Sequence, residues 1–164
     1  MRSSLPITFL LFAVILSIGM VSAAEIFAEE IVCAPGEEKI VEVWLSDTAT
    51  GLAGYIMTPV FDGNEIATVQ FLPSEEFVLS NVDEESMTAS ALDLYDALSA
   101  GSGPILLGTL QVSALQAGEG AVYFEIIEMT DDMGDFVEVT QSGIKIQVLG
   151  ENVPFAIVGL PIRP

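Results

Sequence analysis

The feature that most constrains this chain of 164 residues is the stretch from Gly51 to Phe71, GLAGYIMTPVFDGNEIATVQF, in which a turn sequence joins two alternating apolar runs. Ala53, Tyr55, Met57 and Phe61 share one parity, and Ile56, Thr58 and Val60 share the other. A spacing of two belongs to a pleated strand, whose successive side chains leave on opposite faces. A helix does not fit the same residues. Pro59 interrupts a helical ladder, and Gly51 and Gly54 each cost about 1 kcal/mol relative to alanine inside a helix. Asp62-Gly63 then supplies the turn.

The rest of the chain continues in this idiom. Ile26, Ala28 and Ile31 begin a first strand, and Ala34-Pro35-Gly36-Glu37 is a turn in which proline presets φ and glycine takes the left-handed position. Ile40 to Leu45 is a second strand, with Val41, Val43 and Leu45 on one face and Ile40, Glu42 and Trp44 on the other. After the opening stretch, a strand around Ile66 to Leu72 stops at Pro73. Ser74 to Glu85 reads as an acidic excursion with Phe77, Val78 and Leu79 tucked against a sheet, Met87 to Leu94 resumes alternation, and Tyr95 to Ala100 suits a short turn of helix. Ile105 to Leu115, Ala121 to Met129, Phe136 to Thr140 and Ile144 to Val148 complete the strands, with turns at Gly118-Glu119-Gly120 and Thr130 to Asp135. Short β-rich runs between regular turn signals predict an all-β fold, a two-sheet antiparallel β-sandwich over residues 25–149.

The termini differ from this body. Residues 1–24 read as a secretory signal helix: Arg2 begins it, an apolar run spans Leu5 to Val21, and Val21-Ser22-Ala23-Ala24 offers small residues for cleavage. The mature chain then starts at Ala24 or Glu25 and is secreted, extracellular or at the cell surface. An uncleaved leader acting as membrane anchor is the alternative, since the run approaches the length that crosses a bilayer. Residues 150–164 form a tail with Val153, Phe155, Ile157, Val158 and Leu160, cut by Pro154 and Pro161.

Charge and residue inventory narrow the chemistry. Asp and Glu number 24 against four Lys and Arg, for a formal net charge of −20. Nucleic acid and anionic lipid need basic surface and are excluded as partners. The absence of histidine removes Ser-His and Cys-His nucleophile couples and His-ligated zinc. Cys33 is the only cysteine; it forms no internal disulfide and, within Ile31-Val32-Cys33, reads as a small buried hydrophobe. Paired carboxylates, the device of glycosidases, are the one catalytic arrangement left, and the acids read instead as solvated loop residues. Asp131, Asp132 and Asp135 gather around Gly134 in one turn, which is either a calcium site or a turn that uses acids for local backbone bonding. No other cofactor is indicated. Trp44 and Tyr55 are the candidates for exposed rings, with core packing as the other role for each.

The Gly-Leu-Ala-Gly-Tyr element and its strand to Phe61-Asp62, then Ile66 and Val69, the Leu107-Gly108-Thr109-Leu110-Gln111-Val112 strand, the Ala117-Gly118-Glu119-Gly120 turn and the closing Ser142-Gly143-Ile144-Lys145-Ile146-Gln147-Val148 strand resemble, in order and spacing, the cohesin domains of cellulosomes and their archaeal and bacterial surface relatives. The resemblance runs from about Glu25 to Val148. It implies a jelly-roll sandwich, the Ile105–Leu115 strand central in it, and a non-catalytic recognition module that takes a dockerin-like protein on a flat sheet face. The strand after the Gly-x-Ala-Gly element contributes to that face, so Tyr55, Ile56 and Thr58, with Trp44, are the implied partner-binding residues. In the best understood class an asparagine and an aspartate stand where this chain has Gly54 and Ile56, and the hydrogen bonds of that class have no donors or acceptors here. The sandwich also resembles cellulose-binding modules, which makes a polysaccharide ligand the first alternative and a structural cell-surface protein the second.

Overall fold

The computed structural model describes residues 23–150 apart from Asp47, Asn64 and Ser102. The tail from Glu151 and all of the predicted leader before Ala23, including its hydrophobic helix, lie outside the described residues. Eleven strands and no helix occur among the described residues: β1 (Ala24–Ala28), β2 (Ile31–Cys33), β3 (Glu38–Leu45), β4 (Gly54–Phe61), β5 (Ala67–Pro73), β6 (Leu79–Asp83), β7 (Thr88–Leu92), β8 (Ile105–Ala114), β9 (Gly118–Thr130), β10 (Val139–Gln141) and β11 (Ile144–Val148). They form a five-stranded sheet in the order β10-β1-β3-β8-β5 and a six-stranded sheet in the order β2-β11-β9-β4-β7-β6. The predicted two-sheet sandwich is therefore observed, with β8 lying between β3 and β5 inside its sheet.

Consecutive strands change sheet at every connection except β6 to β7, the one hairpin. The Asp62-Gly63 turn is thus a crossover between layers, and β4 and β5 are not hydrogen-bonded to each other. Asp62 instead reaches back across its own sheet, its Oδ1 accepting the Ala121 amide of β9 at 2.6 Å.

The first predicted strand, spanning Ile26 to Ile31, is corrected by the structure into two. Ala24 and Ile26 are buried on even positions and Ile31 and Cys33 on odd ones, and this slip of phase at Glu29-Glu30 carries the chain from one sheet edge to the other. The same slip separates half-buried Val139 from buried Ile144, so β1 pairs with β10 and β2 with β11, in parallel, whereas the other ladders among the described residues are antiparallel. At the end of β10 the Gln141 side chain pairs with β9 as a strand would: its Oε1 accepts the Phe124 amide at 2.8 Å and its Nε2 donates to the Phe124 carbonyl at 2.6 Å.

The short helical turn expected over Tyr95 to Ala100 is also absent. Asp93 takes the Tyr95 and Leu98 amides on its carboxylate, and Asp96 adopts a left-handed φ of 54°, which no right-handed helix accommodates. Of the three residues expected to tuck beneath the sheet after Pro73, only Phe77 is buried; Val78 and Leu79 face solvent.

The core lies between the sheets and is built around rings. Tyr55 packs edge-on to Phe77 at 5.2 Å, and Phe71 edge-on to Phe124 at 5.1 Å, with Tyr55 and Phe71 tilted at 6.4 Å. A register shift in the β3–β8 ladder leaves Leu107 without a partner on β3. Its carbonyl accepts both the Ser74 amide at 2.9 Å and the Tyr55 hydroxyl at 2.6 Å. Gly108 follows because a Cβ there would run into the Leu72 carbonyl and the Phe71 ring.

Tyr55→Phe removes the donor while keeping the ring. It is expected to lower stability by about 1–2 kcal/mol and Tm by several degrees in a thermal melt, the Leu107 carbonyl keeping only its Ser74 partner.

Candidate recognition surface

The outer face of the six-stranded sheet collects the side chains that alternate with the core positions of four neighbouring strands. On β4 these are Ile56, Thr58 and Val60, which pair with Glu128, Glu125 and Tyr123 of β9. On the other side Gly54 pairs with Leu92 of β7 and Ile56 with Ser90, while β6 sets Leu79 against Leu92 and Asn81 against Ser90. A register shift between Ile56 and Met57 leaves Ile127 unpaired on β9 and exposed. The result is an apolar stripe of Leu79, Leu92, Ile56, Ile127, Val60 and Tyr123 across the strands. On β9 exposed Glu128 stands beside Ile56 and exposed Glu125 beside Thr58, between Ile127 and Tyr123, while Asp83 with the Glu84 and Glu85 of the β6–β7 turn lie at the β6 end.

The stripe is not flat throughout. A shallow groove of ≈ 400 Å³ lies over the β4–β7–β6 seam between Ile56, Leu79, Asn81, Ser90 and Leu92, and a smaller hollow of ≈ 100 Å³ lies between Gly54, Ile56, Leu92 and Glu128. Gly54 leaves room for Leu92 to lean over the strand; a Cβ at this position would meet the Leu92 side chain and the Ala91 carbonyl. Thr58 and Thr88 bridge the seam through their hydroxyls at 2.9 Å. The surface offers aliphatic contact, two hydroxyls and carboxylates, and among the described residues buried side-chain nitrogens and oxygens all have hydrogen-bond partners.

The four residues implied as partner-binding do not share one surface. Ile56 and Thr58 stand on this face. Trp44 is part-buried on the outer face of the other sheet, where it pairs with Phe27 and Leu106. Tyr55 is 2% exposed and belongs to the core, so the expectation of an exposed ring there is corrected. Its parity partner set, Tyr55 and Met57, was visible in the sequence; the inward choice follows from the Leu107 carbonyl waiting across the core, and burial pushes the phenol pKa above its usual range. Sequence reasoning missed Leu79, Leu92, Val60, Tyr123 and Ile127. The available signal was the alternation of Tyr123, Glu125 and Ile127 against Val122 and Phe124, which marks one outward row.

Of the two uses open for the acids around Gly134, local backbone bonding is seen at Asp131. Asp131 is buried and its Oδ1 accepts the Met133 and Asp135 amides at 3.0 and 2.8 Å, closing the turn. The Thr50 side chain, then those amides and that of Gly134, hold its carboxyl below the ordinary carboxylate range. Asp132 instead packs over Gly51, whose φ of 81° and contact with this carboxylate leave no place for a side chain. Loss of solvent, and then the neighbouring carboxylates of Asp96, Asp93 and Asp131, raise the Asp132 pKa. Among the described residues no group of three or more acids, cysteines or histidines is arranged to hold a metal ion.

No protein-family model matches the chain, and no curated protein matches it by sequence. Solved structures do match, with 37 chains similar in fold. A cohesin from Clostridium acetobutylicum, CaCohA2, is 19% identical with a TM-score of 0.61, covering 79% of this chain and 93% of its own. A type I cohesin–dockerin complex from Clostridium thermocellum, Coh-OlpA-Doc918, is 15% identical with a TM-score of 0.62, covering 78% and 100%. A non-cellulosomal cohesin from the hyperthermophilic archaeon Archaeoglobus fulgidus is 15% identical with a TM-score of 0.57, covering 80% and 94%. The described residues thus have a cohesin-like fold.

The opposed shifts of Asp131 and Asp132 set a pH dependence. Asp132 binds its proton more tightly when folded, so its favourable contribution exists below its raised pKa and is lost as pH rises through it. Asp131 binds its proton less tightly when folded, so its contribution is present above the ordinary carboxylate pKa of about 4 and is lost as pH falls below that. Asp132→Asn is expected to raise Tm at pH 7 relative to the parent and to lose that advantage once the pH falls to about 4, measured by scanning calorimetry across the range.

Proposed function

We propose that this chain is a secreted, non-catalytic recognition module that docks a dockerin-like protein on the outer face of its six-stranded sheet. The observation that carries this reading is the set of exposed apolar side chains from Leu79 to Tyr123, presented by four neighbouring β-strands and accompanied by acids at Glu125, Glu128 and Asp83 to Glu85. An exposed apolar patch with a polar rim is the anatomy of a protein interface, the centre supplying desolvation and the rim steering a complementary charge. In a chain of net charge −20 that complement is basic. The fold supports the reading: the similar structures include cohesins solved in complex with dockerins. Gly54 and Ile56 shape the mode of docking, since contact at the start of β4 is aliphatic and a partner relying on hydrogen bonds from those two side chains finds none.

The test is calorimetric titration of the chain with a panel of dockerin modules, run beside affinity capture from the secretome of its source and a polysaccharide pull-down. Saturable binding by a dockerin, weakened about tenfold or more by Ile56→Ser or Leu92→Ser, is expected, a change of about 1.4 kcal/mol or more. Binding to an insoluble glycan with no dockerin retained overturns it. Secretion is tested separately by N-terminal sequencing of the protein recovered outside the cell, where a start at Ala24 or Glu25 is expected and an intact Met1 is the contrary result.

A further inference from the structure

Four large apolar side chains stand outside both the core and the sheet face, on two loops at the Gly54 end of the sandwich. Leu94 and Tyr95 follow β7, and Met133 and Phe136 follow β9; they are 57%, 78%, 76% and 78% exposed. The two loops leave from neighbouring points, because Gly54 pairs with Leu92 on one side and with Thr130 on the other. They are also fastened from within. Asp93 accepts the Tyr95 and Leu98 amides, the Leu52 amide donates to the Leu98 carbonyl at 3.1 Å, and Phe136 bridges Thr130. Asp131 accepts the Met133 and Asp135 amides, and Asp132 lies against Gly51 and beside Asp96. The aspartates thus hold the loop backbones while the apolar side chains remain outside.

Such a concentration of exposed apolar surface marks an interaction site. The charge interleaved with it decides the occupant. Asp93, Asp96, Asp132 and Asp135 each neighbour one of the four apolar residues in sequence. A second copy of the chain would set carboxylate against carboxylate, and an anionic bilayer would be repelled. A segment with apolar side chains flanked by Lys or Arg meets both features at once.

We propose that residues 93–98 and 131–136 form a second binding surface, which receives a cationic, amphipathic protein segment. This surface adjoins the sheet face and does not depend on the reading of that face.

The test uses the full chain and a synthetic amphipathic helical peptide of leucine and lysine, by titration calorimetry. Tyr95→Ser combined with Phe136→Ser is expected to weaken binding at least about tenfold, and both side chains are exposed, so the Tm of this variant stays that of the parent. Leu79→Ser combined with Leu92→Ser on the sheet face is expected to leave the affinity unchanged, which separates this surface from the one proposed for dockerin. Raising NaCl from about 0.05 to about 0.3 M weakens binding further, as screening requires. Equal affinity of the parent and the Tyr95/Phe136 variant, weakening by the sheet-face variant alone, or loop-dependent sedimentation with neutral phosphatidylcholine vesicles each overturns the proposal.

Discussion

The hydrogen bond from the Tyr55 hydroxyl to the Leu107 carbonyl joins the two sheets through the middle of the core, and much else follows from it. A buried carbonyl is expensive unless paired, and Leu107 is freed from its ladder by the register shift between β3 and β8. Tyr55 and the Ser74 amide together satisfy it. That bond fixes which way β4 faces. With Tyr55 and Met57 turned inward, Ile56, Thr58 and Val60 must turn outward, and the recognition surface is the other side of the same strand. Gly108 and the Phe71 ring complete the arrangement by letting β5 close on the shifted strand.

How much of this was legible depends on what alternation encodes. Period two located nearly every strand and grouped Tyr55 with Met57 and Ile56 with Thr58. It does not say which group faces the core, since both contain apolar residues, and Tyr55 was accordingly given a surface role that its burial removes. Sheet membership was hidden for a related reason. It is written in phase slips, such as the one between Ile26 and Ile31, which look like an imperfect single strand until the pairing is seen. At the Asp131 turn the residue types left two uses open, and the local one is seen: an aspartate two to four residues before unpaired amides closes a turn.

The acidity of the chain has local consequences that its net charge does not convey. Carboxylates accompany the apolar stripe on the six-stranded sheet. On the opposite face the outward positions of β8 and β5 are Leu106, Thr109, Gln111 and Ser113 with Thr68, Gln70 and Leu72, none of them charged, and the acids there stand on β3 at Glu38 and Glu42.

Ten connections join the eleven strands of the described residues, and among them only the β6–β7 hairpin keeps the chain within a sheet. Everywhere else among the described residues a strand is held by partners distant in sequence. β6 is an edge strand held only by β7, and its residues are exposed apart from half-buried Val82. It can detach alone. Like the three-residue edge strands β2 and β10, each also held by one partner, it belongs to the sector that opens with the least free energy, which puts the seam that shapes the groove at a margin that loosens before the centre of its sheet.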